Sequence, residues 1–405
     1  LVGSAPGFTT GSSEPVFLTF VGACVTIYNM PFCYSPWTNI DISPTGDITP
    51  CCKFNHKQYS EQFNIQTHTI EQYSQSQLVK EIKKDFVDNV WPAGCERCQI
   101  EESNSIESKR ILDYTRWEKH YKEYDLDHDQ FITASVAFGN TCNLKCITCN
   151  PVSSSLWQQE YKKIFNIDIP HFKFYKQNFV NDFISNVPNI VHLDVPGGEP
   201  FLSGVPEQKL LLQHYIDTGR AGEITLHYTT NVTVFPSQDW WELWKNFKEI
   251  DIQLSIDGID ARYEYIRFPA KWNDTLVNVD QYLQKEKNIS NIRLSVSHTV
   301  SAYNILYLDE FCTRINQIGL PRPWLGRVHY PYYMRPGVWP DAAKNFIKDK
   351  ILQSKITEIH AWAHLIINHD DSKHFDLFCQ HLKQHDNYRG VDFSTIFPEL
   401  KNYIK

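Results

Sequence analysis

No apolar run in this 405-residue chain reaches the ~18 residues that cross a bilayer, which excludes a spanning helix. A strong charge of one sign is also missing, since 39 Lys and Arg face 47 Asp and Glu for a formal net charge of −8. So mild an acidic excess argues against broad electrostatic binding of nucleic acid, which is not expected as a partner. Internal repeats and low-complexity blocks are absent, so solenoids and arrays are excluded. The stretch from Leu1 to Pro15 is rich in Gly, Ser and Thr and lacks the basic start and apolar core of a secretory signal. The expectation is a cytoplasmic protein with a flexible tail over residues 1–16.

Hydrophobic residues make up 42% of the chain and aromatics 14%, enough for a sizeable core and against disorder. The length suggests two or three domains. Eleven cysteines cannot all pair, and a chain of this size needs no disulfide framework. Nine of them precede residue 150, in tight groups that read as metal ligands in a reducing compartment. The sequons at Asn231, Asn273 and Asn288 are read as chance matches.

Residues 17–130 form a first unit in which Pro and Gly punctuate short strands and turns, with helices expected over 69–87 and 101–121. From residue 131 the rhythm changes. Strands are expected over 132–138, 190–195, 223–229, 251–256, 291–299 and 325–330, separated by helices over 153–165, 208–218, 238–247, 277–286 and 306–319. Such alternation predicts an α/β fold, a parallel sheet closing into a partial (β/α)6 TIM-like barrel over 131–335. Residues 336–405 read as a helical extension.

Chemistry collects at the strand ends, where parallel α/β folds build their sites. After the first barrel strand comes Cys142-Asn-Leu-Lys-Cys146-Ile-Thr-Cys149. Three thiolates there can hold three irons of a 4Fe–4S cluster and leave the fourth open; a zinc knuckle is the alternative. Gly197-Gly198-Glu199-Pro200 follows the second strand, where paired glycines admit a ligand to the backbone and a carboxylate can accept from an ammonium group. Asn231, Ser255 and Val300 lie at the ends of later strands, and Arg267 can offer a fork to a carboxylate.

This order of motifs resembles the radical S-adenosylmethionine (SAM) superfamily over roughly residues 131–335. Its Ser-Ile-Asp-Gly segment, Ser255 to Gly258, is similar to the branch of peptide-modifying and sulfatase-maturing enzymes. The resemblance implies that Cys142, Cys146 and Cys149 bind a cluster whose open iron chelates SAM. It further implies that Gly197, Gly198 and Glu199 hold the SAM amino group, that Asn231 and Ser255 face its ribose or sulfonium, that Arg267 pairs its carboxylate and that Val300 lines the adenine pocket. Thr148 stands where the superfamily often has an aromatic residue.

The first unit carries its own pattern. Cys33 is followed by twelve residues, Gly46, four more and Cys51, with Cys95-Glu-Arg-Cys98 much later. This resembles the SPASM/twitch auxiliary-cluster region, placed here before the radical domain rather than after it. The resemblance implies a second, closed 4Fe–4S cluster on Cys33, Cys51, Cys95 and Cys98, with Cys52 spare; a four-cysteine zinc site is the alternative. The implied activity is reductive SAM cleavage to a 5′-deoxyadenosyl radical that abstracts hydrogen from a substrate. A peptide is the expected substrate and a small metabolite such as a sugar or nucleotide derivative the alternative, with flavodoxin or ferredoxin as electron donor. A zinc-binding interaction protein without activity is the reading from another class.

Three other features carry no expected chemistry. Asp125-Leu-Asp127-His-Asp129 resembles the start of a calcium loop but lacks the Gly and Glu that such a loop requires. His360 and His364 stand at i, i+4 without an adjacent Glu and read as ordinary packing or surface residues. Cys312 and Cys379 read as core residues of amphipathic helices.

Overall fold

The computed structural model describes residues 17–20, 23–26, 30–103, 107–121, 130–168 and 178–404; the expected tail and the Asp125–Asp129 segment lie outside these. Ten strands are described. β1 (Phe17–Phe20) and β2 (Ala23–Thr26) pair as an antiparallel ribbon. The other eight form one sheet: β3 (Asn39–Ile42), β4 (Ile48–Thr49), β5 (Thr133–Val136), β6 (His192–Val195), β7 (Thr225–Thr230), β8 (Glu249–Ser255), β9 (Ile292–Val300) and β10 (Trp324–Arg327). Their order is β10-β9-β8-β7-β6-β5-β3-β4, parallel throughout except for the β3–β4 pair.

All six strands expected after residue 131 are present, and they run in sequence order across the sheet. The fold is thus α/β, as expected. The difference lies at the expected unit boundary. β3 belongs to the first unit, yet it pairs in parallel with β5, so that Asn39–Ile42 runs beside Thr133–Val136. The sequence hid this because Asn-Ile-Asp-Ile is short and half polar.

Alternation explains how the sheet is used. On β7, β8 and β9 every second residue is buried, including Leu226, Tyr228, Ile250, Ile252, Leu254, Ile292 and Val296. These side chains join the main core with residues of the crossover helices, such as Phe183, Leu211, Trp241, Trp244 and Tyr282. A fully buried side chain of this kind contributes about 1.5–3 kcal/mol relative to exposure. Side chains alternate between faces along a strand, so the residues between these turn to the opposite face. That second face is polar, unlike most parallel sheets, which are apolar on both.

The helix expected over 69–87 is two helices, Ile70–Ser74 and Gln77–Val87. Thr69 and Gln72 form a reciprocal capping box, and the Ser76 hydroxyl accepts from Val79 N at 3.2 Å to start the second helix. Each such cap contributes about 1 kcal/mol, so two starts outweigh one continuous run. After β10 the chain is helical, as expected, and packs a second core of Trp339, Phe378, Phe393 and Phe397 against Val300 and Tyr303. Trp339 donates its indole N–H to Ala302 O at 3.0 Å, fixing this cap to the end of β9. No helix among the described residues is long and apolar enough to cross a membrane.

Candidate functional site

Five consecutive parallel strands, β5 to β9, deliver their C-terminal ends to one edge of the sheet. The loop after β5 carries Cys142, Cys146 and Cys149. It is pinned by backbone and packing rather than by the thiols. Lys145 N donates to Phe268 O at 2.8 Å, Ile147 N to Ile266 O at 2.7 Å, and the Trp157 indole to Cys146 O at 2.9 Å. Leu144 and Ile147 are buried beneath it. Burial pushes the Cys146 and Cys149 thiols up to about 12 each, with the three sulfurs acting on one another and Arg267 pulling in the opposite direction.

The loop after β6 folds back on this segment. Gly197 and Gly198 both have positive φ, at 84° and 48°. A Cβ at Gly197 would stand 2.6 Å from Ala137 Cβ, and one at Gly198 2.5 Å from Thr141 O, so only glycine lets the two loops meet. Glu199 N then donates to Thr141 O at 2.8 Å. The Glu199 carboxylate is fully buried and engaged by the protein itself. It accepts from the Thr230 hydroxyl at 2.8 Å and from Asn231 N at 2.8 Å. Burial raises its pKa to about 7, although these bonds favour the ionised form. Its placement makes it a brace between the ends of β6 and β7.

Asn231 reaches the cysteine loop directly: its amide donates toward Cys142 Sγ at 3.6 Å and to Asn143 Oδ1 at 3.0 Å. Ser255 closes β8 and is buried opposite Ser297. Arg267 is also buried, forked onto Asp257 through Nε at 2.9 Å and Nη2 at 2.8 Å. Asp257 in turn accepts from Thr299 N at 2.7 Å, so Arg267 is oriented by the ends of β8 and β9 together. Val300 lies fully buried at the end of β9. Asp257 and Thr230 lie within the strand-end segments read from the sequence but were given no role of their own there. Each stands beside a residue that was given one, which is the signal that could have found them.

The second cysteine group is assembled from three segments of the first unit. Gly46 has φ 85° at the β3–β4 turn, and a Cβ there would press within 2.9 Å of Ile65. Gly94 sits where a Cβ would meet the Phe54 ring at 2.4 Å, and its carbonyl accepts from Asn55 N at 2.9 Å. These close approaches draw Cys95 and Cys98 to the loop bearing Cys51. Burial pushes the Cys33 thiol up to about 11, with Ser35 opposing and Cys98 adding. Burial raises Cys51 strongly, and the adjacent Cys52, then Cys33 and Cys95, add to it. The thiol of Cys95 is raised by burial, then by Cys33 and Cys98. Cys33 thus lies within electrostatic reach of Cys98, Cys51 of Cys33 and Cys95, and Cys95 of Cys33 and Cys98.

Cys52 points elsewhere, into a polar recess with Asp41, Lys109 and His192. The expected outcome is that Cys51→Ala loses about four irons per chain while Cys52→Ala loses none, read by iron analysis of anaerobically purified protein. Equal loss in both variants would reverse this assignment.

The donors in both groups are thiols, the ligands that hold iron–sulfur clusters. Among the described residues no group of three or more His, Cys, Asp or Glu side chains is placed to hold a single metal ion. Outside both groups, His360 Nε2 bonds Ser354 O at 3.0 Å, Cys379 is buried in the C-terminal core and Cys312 is half-buried.

No curated protein sequence matches the chain. Solved structures similar to it include native anSMEcpe with bound AdoMet, at 17% identity and a TM-score of 0.41, covering 54% of this chain and 57% of that one. SuiB from Streptococcus suis bound to S-adenosylmethionine aligns at 12% identity and a TM-score of 0.31, covering 89% of this chain and 72% of that one. TYW1 with a lysine–pyruvate adduct aligns at 14% identity and a TM-score of 0.35, covering 59% and 74%. The chain thus spans little more than half the length of anSMEcpe. Residues 33–99 match the family model of SPASM, an iron–sulfur cluster-binding domain, and most of the parallel sheet follows them in the chain.

Proposed function

We propose that the chain is a radical SAM enzyme with an N-terminal auxiliary cluster. The observation that carries this reading is the Cys142–Cys149 loop, held at the C-terminal edge of a parallel sheet with Asn231 and the Asp257–Arg267 pair beside its sulfurs. In this reading Cys142, Cys146 and Cys149 hold a 4Fe–4S cluster with one open iron. Cys33, Cys51, Cys95 and Cys98 close a second. When bound, the first cluster supplies the electron that cleaves SAM reductively to methionine and the radical that takes hydrogen from a substrate.

The protein's own tasks are orientation and exclusion of water. Gly197 and Gly198 bring backbone close to the amino group of SAM, Arg267 turns its charge toward the SAM carboxylate, and Asn231, Ser255 and Val300 bound the ribose and adenine. Glu199 acts on the same group by holding the ends of β6 and β7 in place. Residues 17–130, 131–335 and 336–405 serve as auxiliary-cluster unit, radical unit and helical cap. The substrate is a peptide, the auxiliary cluster takes the electron that the substrate radical releases, and a flavodoxin or ferredoxin reduces the enzyme.

The test is made on protein purified without oxygen. About eight irons per chain and formation of 5′-deoxyadenosine from SAM under dithionite are expected. Zinc without iron would sink the enzyme reading and leave the binding-protein alternative. Turnover of a sugar or nucleotide derivative with no peptide modified would replace the substrate class.

A further inference from the structure

The polar face of the sheet carries one row of side chains that no part of the proposed SAM site uses. Strand register sets Asp41, Ser135, Asp194, His227 and Asp251 side by side across β3, β5, β6, β7 and β8. At its β3 end the row is roofed by the helix Lys109–Tyr121, leaving a recess of about 170 Å³. Such a volume is below the ~300 Å³ at which cofactor-sized pockets begin, and suits the end of a single side chain.

Most charges around the recess already have partners. Asp194 is bonded by His227 Nδ1 at 2.6 Å, and Asp251 by the Ser295 hydroxyl at 2.9 Å. Lys109 is held by Asp113 at 2.6 Å, and Arg116 lies over the Trp117 ring at 5.0 Å. Asp41 differs. It is 7% exposed and has the Ser135 and Thr49 hydroxyls beside its carboxylate, but among the described residues no ion pair is formed with it; Lys109 acts on it only at longer range. The second unfilled group is His192, also 7% exposed, whose Nδ1 is buried with no hydrogen-bond partner. Its ring lies between Trp117 at 5.2 Å and His227 at 6.4 Å. A buried ring nitrogen without a partner is costly, and in the tautomer that leaves Nδ1 unprotonated a ligand N–H in the recess would satisfy it.

We propose that this recess binds the cationic end of a substrate side chain, an ammonium or guanidinium group, with Asp41 and His192 Nδ1 as its two acceptors. The inference rests on the enzyme reading above and names the kind of substrate residue that reading leaves open. Charge supports it. Burial and Arg116 hold His192 neutral, down to about 3, so its ring accepts without repelling a cation. Burial raises Asp41 to about 7, so a cation gains a full carboxylate partner above that pH. Position supports it as well. Cys52, the neighbour of auxiliary ligand Cys51, forms part of one wall, and Asp194, three residues before Gly197, part of another. The recess therefore shares a wall with the loop that bears Cys51.

Equilibrium dialysis on the iron-loaded protein at pH 8 tests this with three probes: the N-acetyl methylamides of lysine, norleucine and glutamate. The lysine probe should be retained at least about tenfold more strongly than the other two. Asp41→Asn and His192→Gln should each erase that preference while thermal midpoint and iron content stay at wild-type values. No retention of the lysine probe, equal retention of lysine and norleucine, preference for glutamate, or an unaltered preference in folded Asp41→Asn would each overturn it. Deoxyadenosine formation without any probe reads the enzyme proposal separately. Cleavage of SAM with no probe bound removes only the recess; probe bound through Asp41 with no SAM cleavage removes only the enzyme reading.

Discussion

Replacing Cys142, Cys146 and Cys149 together by Ala should abolish 5′-deoxyadenosine formation from SAM under dithionite and lower iron from about eight to about four per chain. The structure explains why this should be a clean loss rather than a collapse. The loop is held by Lys145 N on Phe268 O, Ile147 N on Ile266 O and the Trp157 indole on Cys146 O, none of which involves a thiol. Leu144 and Ile147 stay anchored in their cores whatever occupies the three cysteine positions. Circular dichroism and thermal midpoint in the absence of metal should therefore match wild type. Deoxyadenosine at the wild-type rate would remove the catalytic cluster from these residues. The contrast comes from Cys33, Cys95 or Cys98 changed to Ala. These should also lose about half the iron but retain part of the SAM cleavage, because their cluster stands apart from the open iron.

What could be read from the sequence follows the range of the interactions involved. The six strands after residue 131 were legible because each is a run of apolar or alternating residues closed by turn residues, a local signal. So was the cluster loop, whose three cysteines lie within eight residues. The four cysteines of the first unit span residues 33 to 98, and long-range contacts such as those at Gly46 and Gly94 draw their segments together. Their spacing matches a family pattern, but no local signal foretells those contacts. Illegible were features made by register and by distant contacts. Nothing in Asn39–Ile42 announces that it pairs with β5, and the row from Asp41 to Asp251 exists only once five strands are aligned. Glu199 shows the same limit. A carboxylate after two glycines reads as a ligand hand, yet its partners Thr230 and Asn231 lie more than thirty residues on and claim both its oxygens. Lys145, which had no expected role beyond the fold, proves to sit in a buried ion cluster with residues more than two hundred positions away.

That cluster carries the other large effect: Glu160→Gln should cost about 3–5 kcal/mol of folding stability at pH 7, the range for removing one partner of a buried ion pair. Glu160 is fully buried on the helix Trp157–Phe165. Its carboxylate pairs with Lys145 Nζ at 2.9 Å, with Arg389 Nε at 2.8 Å and with His385 Nδ1 at 2.8 Å. Burial lowers the proton affinity of His385, so at neutral pH it serves as a neutral donor, and the two formal cations are Lys145 and Arg389. Arg389 also donates to Lys145 O at 2.7 Å, joining the C-terminal helix Phe375–Arg389 to the backbone between Cys142 and Cys146. Without Glu160 two like charges are left buried and adjacent, which is the costly outcome. The pH dependence has a definite sign. Burial works against the ionised form, but the His385 bond, Arg389 and Lys145 overcome it and hold the Glu160 carboxyl down to about 2. A carboxyl depressed in the folded state adds stability that is complete above its ordinary value of about 4.5 and fades as pH falls toward 2. Wild type should therefore lose stability through that window by an amount that Glu160→Gln does not. Denaturant unfolding of both proteins at pH 7 and at about pH 3 measures it, and a variant within about 0.5 kcal/mol of wild type at pH 7 would show that the cluster contributes nothing. Because the strut ends on the cysteine loop, the same variant should also shift the reduction potential of the Cys142–Cys146–Cys149 cluster, a readout that a purely distant loss of stability would leave in place.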